Sequence, residues 1–115
     1  MYPPSVPSVG VGEVPAGAVV LDVREDDEWV AGHIDGATHI PMGELPARFS
    51  EVTTLAGDAG EEVVVVCRSG GRSARVVAWL AQYGVDAVNL DGGMSAWADA
   101  GRPMVSETGG VPVVR

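Results

Sequence analysis

Short apolar runs alternate with stretches of helical spacing along this 115-residue chain. The most apolar run is the four valines at 63–66, which are typical of a buried strand. Shorter runs lie at 18–23, 38–40 and 87–90, and Pro41 stops the second of them. Strands that alternate with helices favour a parallel sheet flanked by helices. Pattern alone therefore predicts an α/β fold with three or four strands.

The predicted helices lie between these strands and after the last one. Acidic residues at 25–28 suit the first turn of a short helix, because the helix dipole favours negative charge there, and Gly32 can end it. The segment 54–62 is polar and contains glycine, so we interpret it as a connection into the valine strand. The other helices are predicted within 43–50, at 74–83 before Gly84, and at 94–100 before Gly101.

Length and composition indicate one domain, since 46% of the residues are hydrophobic and can form one core. We expect a loose, proline-containing tail at 1–8, the domain itself at 9–105, and a C-terminal extension at 106–115. The pattern over 102–115 is ambiguous. No apolar stretch approaches the roughly 20 residues that span a bilayer, and the first residues lack the layout of a secretory signal. A single free cysteine is safest in a reducing compartment, so we expect a cytoplasmic protein.

The formal net charge is -9, which argues against nucleic acid or an anionic membrane as a partner. The distribution of charge is more informative than the sum. No acidic residue lies between Glu62 and Asp86, whereas Arg68, Arg72 and Arg75 all lie there. A small positive mouth on an acidic body would concentrate small anions. Arg75 can alternatively belong to a solvated helix face.

The only cysteine, Cys67, stands where the valine strand stops and a glycine-rich loop begins. Nearby cations and helix N-termini favour the reactive thiolate, and this loop offers both. Gly70 and Gly71 let the backbone curl, so that successive N–H groups face one anion. A buried structural cysteine is the alternative, but open α/β sheets bind ligands at the carboxyl ends of their strands. A phosphate-binding P-loop does not fit, because the chain contains no lysine.

Three blocks of sequence resemble the rhodanese-like sulfurtransferases, and they cover most of the chain between residues 19 and 103. The blocks are Val20-Leu-Asp-Val-Arg-Glu25 with Gly32-His-Ile-Asp-Gly-Ala37 after it, the cysteine loop, and Leu90-Asp-Gly-Gly-Met-Ser-Ala-Trp97. Their order makes the resemblance specific. It implies a rhodanese-like, five-stranded, mostly parallel sheet with helices on both faces. It also implies a first short strand within 9–14.

The resemblance further implies a two-step transfer of sulfane sulfur through a persulfide on Cys67. The donor would be thiosulfate or a related persulfide, and the acceptor cyanide, a thiol or a protein. Arg68 and Arg72 would supply charge to an anionic donor, and backbone N–H groups would solvate the persulfide. No metal or organic cofactor is needed. The residues expected to bind the donor are Arg68, Ser69, Gly70, Gly71, Arg72 and Ser73.

Two alternatives stay open from the residues. Related phosphatases and arsenate reductases enclose a larger oxyanion in a loop one residue longer, whose arginine would stand where Ser73 is here. No general acid, which an oxyanion hydrolase needs, is evident in the loop. The domain could instead be a binding module, as happens in the family when the cysteine is lost. Mercaptopyruvate fits less well as a donor, because its users usually carry glycine-serine or glycine-threonine where Arg68 and Ser69 stand.

The remaining conspicuous residues have structural interpretations. Asp22 and Arg24 face the same side of a strand, and we expect them to pair and brace the loops of the site rather than to act in catalysis. His33 and His39 form too small a group to indicate a metal site. The tryptophans lack an interleaved basic groove and are interpreted as packing residues, of which the last could also line the pocket: Trp29, Trp79 and Trp97.

Overall fold

The computed structural model describes residues 6–59 and 62–115, which form a five-stranded sheet covered by helices. The strands are β1 (Ser8–Val9), β2 (Val20–Asp22), β3 (Thr38–His39), β4 (Val63–Val66) and β5 (Ala87–Leu90). Their order across the sheet is β1-β5-β4-β2-β3, and every pairing is parallel. The expected α/β class and five-stranded sheet are confirmed.

The described residues also form four α-helices and two short 3₁₀ helices, and all of them except the last α-helix lie between strands. The α-helices are α1 (Asp26–Ala31), α2 (Phe49–Ala59), α3 (Gly71–Ala81) and α4 (Gly93–Asp99), and the 3₁₀ helices span Val11–Glu13 and Met42–Glu44. Within the described residues, none of the helices combines the length and the apolar character needed to cross a membrane.

Strand β4 explains why four valines occur in a row. Val63 and Val65 belong to a core shared with α2 and α3, whereas Val64 and Val66 belong to a second core shared with α4. Successive side chains of a strand point to opposite faces, so a strand covered on both faces is apolar throughout. All four valines are 5% exposed or less. The sheet thus lies between two helical layers.

The prediction for residues 43–62 is wrong. Helix α2 begins at Phe49 and continues to Ala59, so it occupies residues 54–59 of the predicted polar connection, while residues 43–48 form a 3₁₀ turn and an irregular turn. Threonine and glycine have low helix propensity, which hid the helix in the sequence. Its apolar side packs on the core through the fully buried Val52, with Leu55 and Ala56 beside it. Tertiary packing therefore outweighs propensity here.

The first strand lies earlier than expected. β1 pairs Ser8 with Asn89 and Val9 with Leu90, so it begins inside the segment assigned to the tail, and Val11–Glu13 is a 3₁₀ helix rather than a strand. The Glu13 carboxylate accepts a hydrogen bond from the N–H of Gly10 and so closes the 3₁₀ turn. Residues 1–5 of the predicted tail lie outside the described residues.

The C-terminal segment, residues 102–115, folds back against the end of α1. Val105 pairs with His33 in an antiparallel bridge, and the N–H groups of Glu107 and Val113 donate to carbonyls of α1. Gly32 is required by this contact, because a Cβ there would lie 2.5 Å from the carbonyl oxygen of Val113. Its φ of 173° is ordinary extended backbone, so close approach rather than backbone strain selects glycine.

Candidate active site

Cys67 follows β4 directly and opens the loop that leads into α3. Its side chain is 1% exposed, and the neighbouring carbonyl of Val66 accepts a hydrogen bond from Val23 at the end of β2. Gly70 turns the loop with φ 105°, in the left-handed region that favours glycine. Helix α3 then starts at Gly71, three residues before the predicted start. The thiol therefore lies at the carboxyl end of the sheet, beside a helix N-terminus.

The sulfur is surrounded by hydrogen-bond donors. The N–H of Gly70 lies 3.1 Å from Cys67 Sγ, and the hydroxyl of Ser73 lies 3.3 Å from it. Burial raises the pKa of the Cys67 thiol, but hydrogen bonds from Ser73, Gly70 and Ser69 together outweigh burial and hold that pKa below its ordinary value. The loop thus favours the thiolate, which is the nucleophilic form.

The N-terminus of α4 rests on the backbone of this loop. The N–H groups of Met94 and Ser95 donate to the carbonyls of Cys67 and Arg68 at 2.8 and 2.9 Å. Gly93 has φ 58°, and a Cβ at this position would lie 2.5 Å from the Cys67 oxygen. Only glycine allows the two segments to approach this closely. Sequence reasoning recognised the Gly-Gly motif but not that it supports the cysteine loop.

Asn89 is a buried polar residue that sequence reasoning missed. It lies on β5, its Oδ1 accepts from the Ser73 hydroxyl at 2.5 Å, and its Nδ2 donates to the Gly70 carbonyl at 3.2 Å. Both contacts reach residues that also touch the sulfur, Ser73 through its hydroxyl and Gly70 through its N–H. The available signal was an amide within the apolar run 87–90, because a buried amide needs hydrogen-bond partners.

Arg72 is brought to the site but is already paired. Its two terminal nitrogens donate to the two carboxylate oxygens of Glu28 at 2.8 and 2.9 Å. The hydrogen bond from Arg72 is the main cause that lowers the pKa of Glu28 to about 2, against a usual 4.5. The same bond raises the pKa of Arg72. The sequence indicates Glu28 as a first-turn acid but does not predict this cross-link between α1 and α3.

The arginines divide into paired and unpaired groups. Arg68 and Arg75 are exposed and form no ion pair with the described part of the chain. The other five are engaged: Arg24 with Asp22, Arg48 with Glu44 and Glu51, Arg72 with Glu28, Arg102 with Trp97 and backbone carbonyls, and Arg115 with Asp27. Both unpaired arginines follow the cysteine within eight residues.

Asp22 and Arg24 pair as the sequence predicted. Arg24 Nη2 lies 2.7 Å from Asp22 Oδ2, and the two side chains are 0% and 1% exposed. Arg24 also donates to the carbonyls of Glu28 and Gly32 at 3.2 and 2.8 Å. The pair therefore ties β2 to α1, the helix that carries the Glu28 carboxylate.

His33 and His39 lie on either side of Trp29. Their rings stack on the indole with centroid separations of 3.5 and 4.7 Å, and each ring shares a hydrogen bond with a backbone carbonyl. Among the described residues, no group of three or more potential ligands is arranged to hold a metal ion. Trp97 is buried in the core on the α4 side and donates to the carbonyl of Pro103.

Comparison with known proteins agrees with this geometry. The model of the rhodanese-like domain family matches residues 12–100, and the chain belongs to this family. It is 39% identical over 92 residues to a sulfurtransferase of Allochromatium vinosum, covering 79% of this chain and 81% of the relative. It is 38% identical over 82 residues to the thiosulfate sulfurtransferase GlpE of Pseudomonas fluorescens, covering 70% and 71% respectively.

A solved structure supports the same assignment. A rhodanese-related protein from Thermoplasma volcanium superposes with a TM-score of 0.76 at 30% identity, covering 86% of this chain and 97% of that one. The chain is thus a rhodanese-like protein whose relatives include sulfurtransferases.

Proposed function

We propose that this protein transfers sulfane sulfur from thiosulfate or a related persulfide to a nucleophilic acceptor. The Cys67 thiolate attacks the outer sulfur of the donor and forms a new S–S bond. The donor's own S–S bond breaks, and its electron pair leaves with sulfite when thiosulfate is the donor. A thiol, a protein or cyanide then attacks the outer sulfur of the persulfide, and the electron pair returns to Cys67.

The observation that carries the proposal is the set of donors around Cys67 Sγ. The Gly70 N–H and the Ser73 hydroxyl already contact the sulfur, at the N-terminus of an 11-residue helix. A persulfide anion places its negative charge at the same end of that helix, where N–H groups and the dipole stabilise it. The chemistry needs no further group to activate the cysteine.

The positive charge near the cysteine supports an anionic donor, but the arginines that supply it differ from those predicted from the sequence. Glu28 neutralises the charge of Arg72, so the unpaired Arg68 and Arg75 provide the attraction for the donor. Arg72 would contribute position more than net charge. We assign the protein to the reducing cytoplasm, where the buried thiol stays free.

The geometry favours neither alternative chemistry. Ser73 stands where a seven-residue oxyanion loop would carry its arginine, and here its hydroxyl lies 3.3 Å from Cys67 Sγ. The cysteine that a binding module would have lost is present and activated by hydrogen bonds.

Intact mass spectrometry tests the proposal. Reduced protein incubated with thiosulfate, or with glutathione persulfide, should gain the mass of one sulfur atom, and a reductant should remove it. Cys67→Ser is the matched control and should gain nothing. A folded wild-type protein that acquires no sulfur from either donor would overturn the proposal.

A further inference from the structure

Two buried acceptors compete for one hydrogen atom beside Cys67. Ser73 Oγ lies 3.3 Å from Cys67 Sγ and 2.5 Å from Asn89 Oδ1. A hydroxyl has a single proton to donate, so it can serve the sulfur or the amide oxygen but not both. Ser73 and Asn89 are both 0% exposed.

The orientation of Asn89 follows from its second contact. The Gly70 carbonyl can only accept a hydrogen bond, so the amide nitrogen must face it, and that bond measures 3.2 Å. The amide oxygen is therefore turned toward Ser73 and can only accept. Asn89 cannot reverse its amide without bringing two acceptors together at Gly70.

We propose that Asn89 is a positioning residue that sets the balance between thiol and thiolate at Cys67 by competing with the sulfur for the Ser73 proton. In the thiol form, the S–H group donates to Ser73 Oγ, and the Ser73 hydroxyl donates to Asn89. When the thiol loses its proton to solvent, the hydroxyl turns to the sulfur and the Asn89 oxygen gives up this donor. Asn89 therefore favours the thiol, in opposition to the loop N–H groups.

The competition has a function in the proposed sulfur transfer, on which it rests. Cys67 must attack the donor as a nucleophile and later depart from the persulfide as a leaving group. An attacking thiol works best when its pKa lies near the ambient pH, since a very acidic thiol is a poor nucleophile. Asn89 would keep the thiolate from becoming too stable to attack.

Charged groups also lie around the cysteine loop and must stay constant in a test. Arg72 on α3 interacts with the Cys67 charge, and its partner Glu28 approaches from α1. Arg68 is the next residue along the loop, and the Asp22–Arg24 pair lies at the end of the neighbouring strand β2. Near the loop, β5 contributes the neutral Asn89 and α4 contributes backbone N–H groups. Substitutions at Asn89 and Ser73 leave all of these charges in place.

The test is the pH dependence of Cys67 alkylation by iodoacetamide in four proteins: wild type, Asn89→Val, Ser73→Ala and the double variant. Asn89→Val should raise the alkylation rate at acidic pH on the order of threefold to tenfold, which is the scale of one net hydrogen bond. Ser73→Ala should lower that rate, because the thiolate loses a donor. In the Ser73→Ala background, Asn89→Val should have no effect.

An equal shift in both backgrounds would overturn the proposal, because Asn89 would then act through Gly70 and the loop backbone. A lower rate in Asn89→Val would overturn it as well. Thermal unfolding followed by circular dichroism checks that each variant folds, and Asn89→Leu replaces Asn89→Val if that variant does not. Alkylation requires no sulfur donor, so the result is independent of whether the persulfide forms.

Discussion

Two arginine–carboxylate pairs lie near the cysteine loop, and they differ in burial and in the sequence separation of their partners. The Asp22–Arg24 pair spans two residues of sequence and is at most 1% exposed. The Glu28–Arg72 pair spans 44 residues, and its side chains are 13% and 34% exposed. A buried pair that loses one member leaves an unpaired charge in the interior, whereas water can solvate a pair near the surface. The Asp22–Arg24 pair therefore contributes mainly to stability, and the Glu28–Arg72 pair sets the net charge beside the thiol.

The largest expected loss of stability comes from breaking the buried Asp22–Arg24 pair. Arg24→Met leaves the Asp22 carboxylate buried without its partner and should lower the free energy of unfolding by about 3–5 kcal/mol. Urea unfolding measures this loss. Arg48→Met is the matched control, because Arg48 pairs with two exposed carboxylates, and it should change stability little. Similar losses in the two variants would show that burial does not determine what an arginine–carboxylate pair contributes to stability.

The Glu28–Arg72 pair should make the free energy of unfolding depend on pH in the acid range. The pKa of Glu28 is about 2 in the folded protein and 4.5 as its usual value, so the depressed pKa stabilises the fold above pH 4.5. That contribution should be lost as the pH falls from 4.5 towards 2. Allowing for solvent screening of Arg72, whose side chain is 34% exposed, we expect on the order of 1–2 kcal/mol. Urea unfolding of wild type and Glu28→Gln should differ at pH 6 and converge near pH 2, and a constant difference would contradict this.

Glu28→Gln should also change donor kinetics. Removing the carboxylate frees the Arg72 charge, so kcat/KM for thiosulfate should rise on the order of threefold to tenfold at low ionic strength. Glu44→Gln makes the same change in net charge on a partner of Arg48 and should have a much smaller effect. A fall in kcat/KM would mean that Glu28 is needed to position Arg72, not to neutralise it.

The smallest effect is expected at Arg75. This exposed arginine has no ion-pair partner among the described residues, so Arg75→Ala should leave stability within about 0.5 kcal/mol. Thiosulfate turnover should fall on the order of twofold to threefold at low salt and recover wild-type behaviour at high salt. Arg115→Ala, which removes a remote charge, is the control. Equal losses in both variants would show that only net charge matters.

The sequence predicted the parts of the site that depend on local pattern. The valine strand, the cysteine at its end and the glycine turn are contiguous, and the structure places them together. Helix α2 was missed because its threonines and glycine hide an apolar side that only the core reveals. Glu28 and Arg72 could not be paired from sequence, since their distance along the chain is bridged by packing of α1 against the loop.

Asn89 and Gly93 show a second limit of sequence reasoning. Each residue belonged to a predicted strand or motif, but its partners lie in a loop about 20 residues earlier in the chain. An amide in an apolar strand predicts that hydrogen-bond partners exist, but the sequence does not identify them. A glycine likewise can indicate a close approach of two segments, but it does not identify the second segment.

The contact between Val113 and Gly32 affects where the protein can be truncated for expression. The family match ends at residue 100, yet Val105, Glu107 and Val113 hold the end of α1, which carries Glu28. A protein truncated after residue 100 would lose these contacts, which hold the helix that carries Glu28. The contacts that hold the end of α1 therefore extend beyond the residues that the family model matches.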